Sequence, residues 1–123
     1  MAPAGFDFAA LRQALLRGDA AAIAALYAED AVMTIVDRNR PPSAPMRLLG
    51  RPAIAGFWRE VCGCATRHAV AEEVIGPDRI AFVEHCAYPD GCTLVAAMTL
   101  DLHEGRIARH LTVQAWDELG ETR

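Results

Sequence analysis

Lysine is missing from this chain of 123 residues, and serine occurs once, at Ser43. All twelve basic residues are therefore arginine, so no amine side chain is present to form a Schiff base or to attack as a nucleophile. Ser43 stands in the stretch PPSAP, far from any nucleophile-elbow pattern, which argues against serine-hydrolase chemistry. No apolar run approaches the ~20 residues of a membrane span. The opening MAPAGFDFAA lacks the basic-then-apolar layout of a signal peptide, so a cytoplasmic protein with no membrane partner is expected. The net charge of −4 gives no reason to expect nucleic acid or an anionic surface as partner. The cysteines (Cys62, Cys64, Cys86 and Cys92) supply no zinc framework. Cys62-Gly-Cys64 has a single intervening residue, and no matching pair follows. Buried free thiols are expected, with the hairpin register setting Tyr88, not Cys86, opposite Cys92.

What is present is an apolar fraction of 53% against 23% charged residues, enough for one well-buried core and too apolar for disorder. No repeat, low-complexity tract or linker divides the sequence, so residues 1–123 read as one domain. Asp7 is placed to cap a helix carrying Phe8, Leu11 and Leu15, which Gly18 stops. Asp19 can cap a second helix with Ile23, Leu26 and Tyr27 on one side. β-Branched residues then concentrate in AVMTIVD, a strand over 31–37, and the proline-rich RNRPPSAP over 38–45 must be a loop. Pro52 opens a third helix whose Ile54, Phe57, Trp58 and Val61 form one apolar stripe. Four strands follow: RHAVAEEVIG, RIAFVEHCAY, CTLVAAMTLDL and RIARHLTVQAW. The short turns between them predict an antiparallel meander. This order predicts an α+β fold, with helices on one face of a bent sheet around a conical ligand cavity.

The stretches RGDAAAIAALYAEDAVM, LLGRPAIAGFWRE and DLHEGRIARHLTVQAW, with the strand order, resemble the NTF2-like superfamily, and within it the SnoaL-like and ketosteroid-isomerase-like proteins. The resemblance implies a cone in which three N-terminal helices pack in the concavity of a strongly curved, mainly antiparallel sheet. It implies no single reaction, because the superfold hosts many chemistries and many non-catalytic domains. Carried over by position, the isomerase's general base falls on Ile35, its oxyanion tyrosine on Leu11 and the assisting aspartic acid on Ala96. Without those donors a dienolate has no preorganised stabilisation, so steroid isomerisation by that mechanism is disfavoured. Tyr27 does match a pocket-facing tyrosine of that family. The Arg-x-Asp strand motif of the fold's epoxide hydrolases is not found.

Strand alternation ties residues to a face. Alignment of the last strand to the isomerase-like proteins turns His110, Thr112 and Gln114 toward the cavity, with Trp116 near its rim. The same parity selects Met33, Ile35 and Asp37, then Phe82, Glu84, Cys86 and Tyr88, then Leu94, Ala96 and Met98. A start resembling SnoaL-like relatives places His68, Val70 and Glu72 inward on the strand from 66. Ionisable groups in an apolar cone must pair or shift pKa, which is how acid–base sites are made. His110 is the first candidate for that role, followed by Asp37 and His68, with Glu84 as a partner. Tyr27, Ile35, Phe57, Trp58, Phe82, Met98, Gln114 and Trp116 are the candidates to bind substrate. Each has a plainer alternative. The histidines can be hydrogen-bonded core residues, Asp37 can pair with Arg38 or Arg40, and Phe57 and Trp58 can be core. A one-residue slip would turn Glu72 and Glu84 outward. Arg38, Arg40, Arg47 and Arg51 around the loop could attract a carboxylate or enolate, with a solvated basic loop as the plainer alternative, and His103 and Glu104 read as a solvated turn. A metal site from His68, His110 and a carboxylate lacks close ligand spacing, so neither metal nor cofactor is expected.

These readings converge on a cofactor-free enzyme that binds a small, mostly apolar, cyclic metabolite and moves a proton on it: an isomerase, cyclase or dehydratase. The alternative is a non-catalytic small-molecule-binding or dimerisation module. The outer sheet face would then carry Val83, His85, Val95, Ala97, Leu111, Val113 and Ala115, apolar enough for a homodimer. The lysine-free, alanine- and arginine-rich composition is associated with high-GC bacterial genomes.

Overall fold

The computed structural model describes residues 5–64 and 66–117. Helix α1 (Phe8–Arg17) begins where the Asp7 carboxylate accepts from the Ala10 N–H. It ends at Gly18, whose φ of 66° is a left-handed conformation that a residue with a Cβ adopts at a penalty. Asp19 caps α2 (Ala20–Ala24) in the same way through the Ala22 N–H; that bond and Arg17 hold its carboxyl below the usual range. Helix α2 is a single turn, and Tyr27 does not ride on it. Strand β1 (Tyr27–Val36) starts at Tyr27, because the Ile107 N–H donates to the Leu26 carbonyl and Tyr27 pairs with Ile107. Sheet pairing here overrides the helix propensity of the alanine-rich stretch.

Strand β1 ends before Asp37, which leaves the sheet to form an isolated bridge with Arg40 at the start of the 38–45 loop. A short edge strand, β2 (Met46–Leu49), follows and pairs antiparallel with β1. This strand was not expected from the sequence: its four residues, MRLL, are too few to mark a strand, although in the sheet they alternate between half-buried and exposed. Helix α3 (Arg51–Cys62) carries Pro52 in its first turn and buries Ile54 and Trp58, with Phe57 and Val61 half-buried. It follows β2, so the three helices do not all precede the sheet.

The meander is β3 (Arg67–Ile75), β4 (Arg79–Ala87), β5 (Thr93–His103) and β6 (Arg106–Trp116). Together with β1 and β2 it forms a curved, unclosed six-stranded sheet of order β2-β1-β6-β5-β4-β3. β1 runs parallel to β6, and the other neighbours are antiparallel. The core joins Leu11, Leu15, Ile23, Ile54 and Trp58 of the helices to Met33, Ile35, Phe82, Met98 and Ile107 of the sheet. An Arg12–Glu73 ion pair ties α1 to β3.

Inward parity on β3 holds from His68 through Ala71 and then fails. A bulge between Ala71 and Val74 puts one extra residue on this strand, and Glu72 sits in it at φ 56°. Glu72 is consequently exposed, not inward as the alternation predicted. The other hairpin expectation holds: the Tyr88 N–H donates to the Cys92 carbonyl, while Cys86 pairs with Leu94. All four cysteines are free thiols. Among the described residues, no helix is long and apolar enough to cross a membrane.

Candidate functional site

Where α3 crosses the inner face, three polar atoms meet in the core. Trp58 Nε1 donates to the Tyr27 hydroxyl at 3.2 Å, and that hydroxyl lies 2.8 Å from His110 Nδ1. The indole can only donate. If Tyr27 donates in turn to Nδ1, every group in the chain is used except the proton on Nε2. His110 Nε2 is indeed buried without a partner among the described residues, as is the Thr112 hydroxyl. Burial drives the His110 imidazole down to about 3 and the Tyr27 phenol well above its ordinary value, so both are neutral at neutral pH.

Above this floor lies a cavity of about 130 Å³. Phe57, Trp58 and Val61 of α3 form one wall; Ile35, Leu94, Ala96 and Met98 form the apolar sheet side. Asp37, Arg40, Glu84, Cys86, Tyr88, Gln114 and Trp116 supply its polar and rim groups. The Asp37 carboxylate is nearly buried, accepts from Arg40 at 2.9 Å and also accepts the Asn39 N–H, so the turn holds it rigidly. At the rim Trp116 Nε1 donates to Gln114 Oε1, and the Tyr88 and Trp116 rings lie 5.4 Å apart.

Glu84, expected inward from strand parity, is only 2% exposed and yet lines the cavity. Its Oε2 lies 2.6 Å from His68 Nδ1, a short hydrogen-bonded contact between two side chains almost wholly out of water. Cys86 Sγ lies 3.5 Å from the same nitrogen, and burial together with the Glu84 charge pushes its thiol up. His68 Nε2 is buried without a partner among the described residues.

Of the candidates read from the sequence, Asp37, Glu84, Ile35, Phe57, Trp58, Met98, Gln114 and Trp116 come together around this cavity. His110, His68, Tyr27 and Phe82 do not line it; they are buried behind its wall. Arg40, Cys86 and Tyr88 line it although they were not put forward as site residues. The signal for Cys86 and Tyr88 was present, because they share strand parity with Glu84. Arg40 is contributed by a turn, which alternation cannot read. Of the other loop arginines, Arg51 donates to the Tyr27 carbonyl, Arg38 to the Asp117 carbonyl, and Arg47 borders a groove with Arg79 and Arg109.

Solved structures place this architecture among NTF2-like, ketosteroid-isomerase-like folds. A candidate ketosteroid isomerase from Kribbella flavida superposes with a TM-score of 0.73 at 21% identity, covering 94% of this chain and 78% of that one. A candidate polyketide cyclase from Xanthomonas campestris gives 0.62 at 24% identity, covering 86% and 85%. A computationally designed 17-OHP binder gives 0.66 at 19% identity, covering 90% and 94%. At such identities the likeness is one of fold. No curated protein matches the sequence. The SnoaL-like domain profile matches residues 8–110, and the chain belongs to that family.

Proposed function

We propose that this protein binds a small, mostly apolar, cyclic molecule in the cavity beneath α3 and transfers a proton on it using only its own side chains. The observation that carries this reading is Glu84, a buried carboxyl that forms part of the cavity wall and is backed by His68 at 2.6 Å. Glu84 is placed to take a proton from a bound carbon acid, with His68 hydrogen-bonded to it and fixing its orientation. Returning the proton at a second carbon would be an isomerisation, and loss of a hydroxide instead a dehydration. The Arg40 guanidinium, anchored by Asp37, is placed to attract charge developing on a substrate oxygen. His110, neutral and behind the wall, positions Tyr27 and through it Trp58. The isomerase, cyclase and designed-binder descriptions of the similar structures support a cavity for cyclic ligands.

A second reading, a binding module without chemistry, is favoured by two observations. Both buried histidines are paired within the protein, and the cavity, at about 130 Å³, is below the ~300–1,000 Å³ of ordinary ligand sites. One experiment separates the two. Cyclic ketones and hydroxyketones in deuterium oxide are followed by NMR for solvent exchange at the carbon next to the carbonyl. The enzyme reading expects exchange with at least one ligand, lowered ~10²–10⁴-fold in Glu84→Gln while thermal-shift binding persists. Binding without exchange establishes the module reading, and exchange that Glu84→Gln leaves intact removes Glu84 from the mechanism.

The partner we propose besides the ligand is a second copy of the chain. Val95, Leu111 and Val113 are exposed side by side on the outer face, where Val95 pairs with Ala115 and Ala97 with Val113.

A further inference from the structure

Strand β4 carries Glu84 and Cys86 two residues apart on the inward face, and β3 sets His68 directly across from Cys86. Their ligand atoms all lie within 4.8 Å of one another, and all three residues are buried. We infer that this cluster is a binding site for a thiophilic divalent cation, zinc foremost, with an open coordination position on the cavity side.

Distances, charge and ligand type agree on this. In a tetrahedral zinc site with ordinary bond lengths, a sulfur and a nitrogen ligand sit about 3.5 Å apart. Cys86 Sγ and His68 Nδ1 are already 3.5 Å apart. A nitrogen and an oxygen ligand sit about 3.3 Å apart, so the 2.6 Å contact between His68 and Glu84 must open by a small turn of the carboxylate. One thiolate and one carboxylate neutralise a divalent ion, so the loaded site adds no net charge to an apolar wall. A sulfur, nitrogen and oxygen set suits zinc, whereas magnesium and calcium require oxygen ligands throughout. On binding, the Cys86 S–H bond breaks, a sulfur–metal bond forms and that proton leaves to solvent; the proton held between His68 Nδ1 and Glu84 Oε2 leaves the contact as well, to His68 Nε2 or to solvent, so that both atoms present lone pairs to the ion.

Glu84 and Cys86 line the cavity, while His68 and Cys86 border a separate pocket, and the fourth position is assigned to the cavity, the side on which the carboxylate lies. The cavity of about 130 Å³ has room there for a water, which takes up about 30 Å³ in the liquid. Three protein ligands and one open position is the pattern of catalytic rather than structural zinc. The inference does not rest on the proposed proton transfer, which belongs to the metal-free protein. A loaded His68–Glu84 pair cannot move a proton, and metal binding is read with no substrate present.

The test titrates the chelator-treated protein with Co²⁺ and then displaces it with Zn²⁺. One cobalt per chain is expected, with a thiolate-to-cobalt charge-transfer band and tetrahedral d–d absorption. Cys86→Ser and His68→Ala should each raise the zinc dissociation constant more than ~10-fold. The double variant Cys62→Ser/Cys64→Ser should leave it unchanged. Undiminished affinity in Cys86→Ser, or loss of the band in the double variant, overturns the assignment. If the strand variants do not fold, X-ray absorption of the zinc-loaded wild type decides: one sulfur ligand supports the site, and none or more than one overturns it.

Discussion

His110 lies opposite Met33 on β1 and Leu100 on β5, so the face it shares is apolar on both sides and its Nδ1 meets the Tyr27 hydroxyl. Its folded-state pKa is driven by burial from 6.5 to about 3. Between those values the unfolded chain takes up a proton that the folded chain refuses, so stability is full above about 6.5 and declines as pH falls toward about 3. The slope approaches about 1.4 kcal/mol per pH unit for this one group. His110→Gln keeps a polar side chain without that proton. Urea denaturation from pH 7 to pH 4 should show a shallower loss of stability in the variant than in the wild type. Parallel slopes would mean that His110 is not held neutral. Sequence alternation placed His110 on the inner face; that it would sit beneath the cavity wall depended on Tyr27 and Trp58 arriving from two other elements.

At the scale of elements, the helices and meander were legible because their signals are local. Asp7, Gly18, Asp19 and Pro52 act within a few residues of themselves, and period-two alternation survives along β4, along β5 as far as Leu100 and along β6 from Arg109, past the irregularity that offsets Ile107 from His110. What failed to show were features set by pairing: the early start of β1, the edge strand β2 and the bulge in β3. The bulge gives a direct test. Glu72 is held at φ 56°, where a glycine relaxes the backbone and a β-branched residue strains it. Glu72→Gly is expected to raise stability by up to about 1 kcal/mol and Glu72→Val to lower it by about as much or more. Thermal or urea unfolding of both variants checks the sign, and a more stable Glu72→Val would place the bulge elsewhere.

For the whole molecule, the inner face of the sheet is covered by helices while the outer face keeps Val95, Leu111 and Val113 at 42%, 41% and 46% exposure. These three are neighbours across β5 and β6, so the proposed dimer would bury one continuous apolar patch. Sedimentation at micromolar concentration should find a dimer, and Val113→Arg should shift it to monomer without loss of helical circular dichroism. A monomeric wild type would remove this face as an interface. The same curvature that exposes the outer face narrows the inner one, leaving the small cavity in which Glu84, Asp37 and Arg40 meet.

The sequence alone determined the class of fold, the family and the order of the helices and the five longer strands, because caps, turns and hydrophobic periodicity act over a few residues and the SnoaL-like profile spans most of the chain. It also determined which side chains share a face wherever the strands run unbroken. Only the tertiary structure decided which of those inward groups line the cavity and which are buried behind it. It set His68 against Glu84 and Cys86, and His110 against Tyr27, because those meetings depend on strand register and on where α3 crosses the sheet. Both are fixed by packing between residues far apart in the chain, and no local pattern records them.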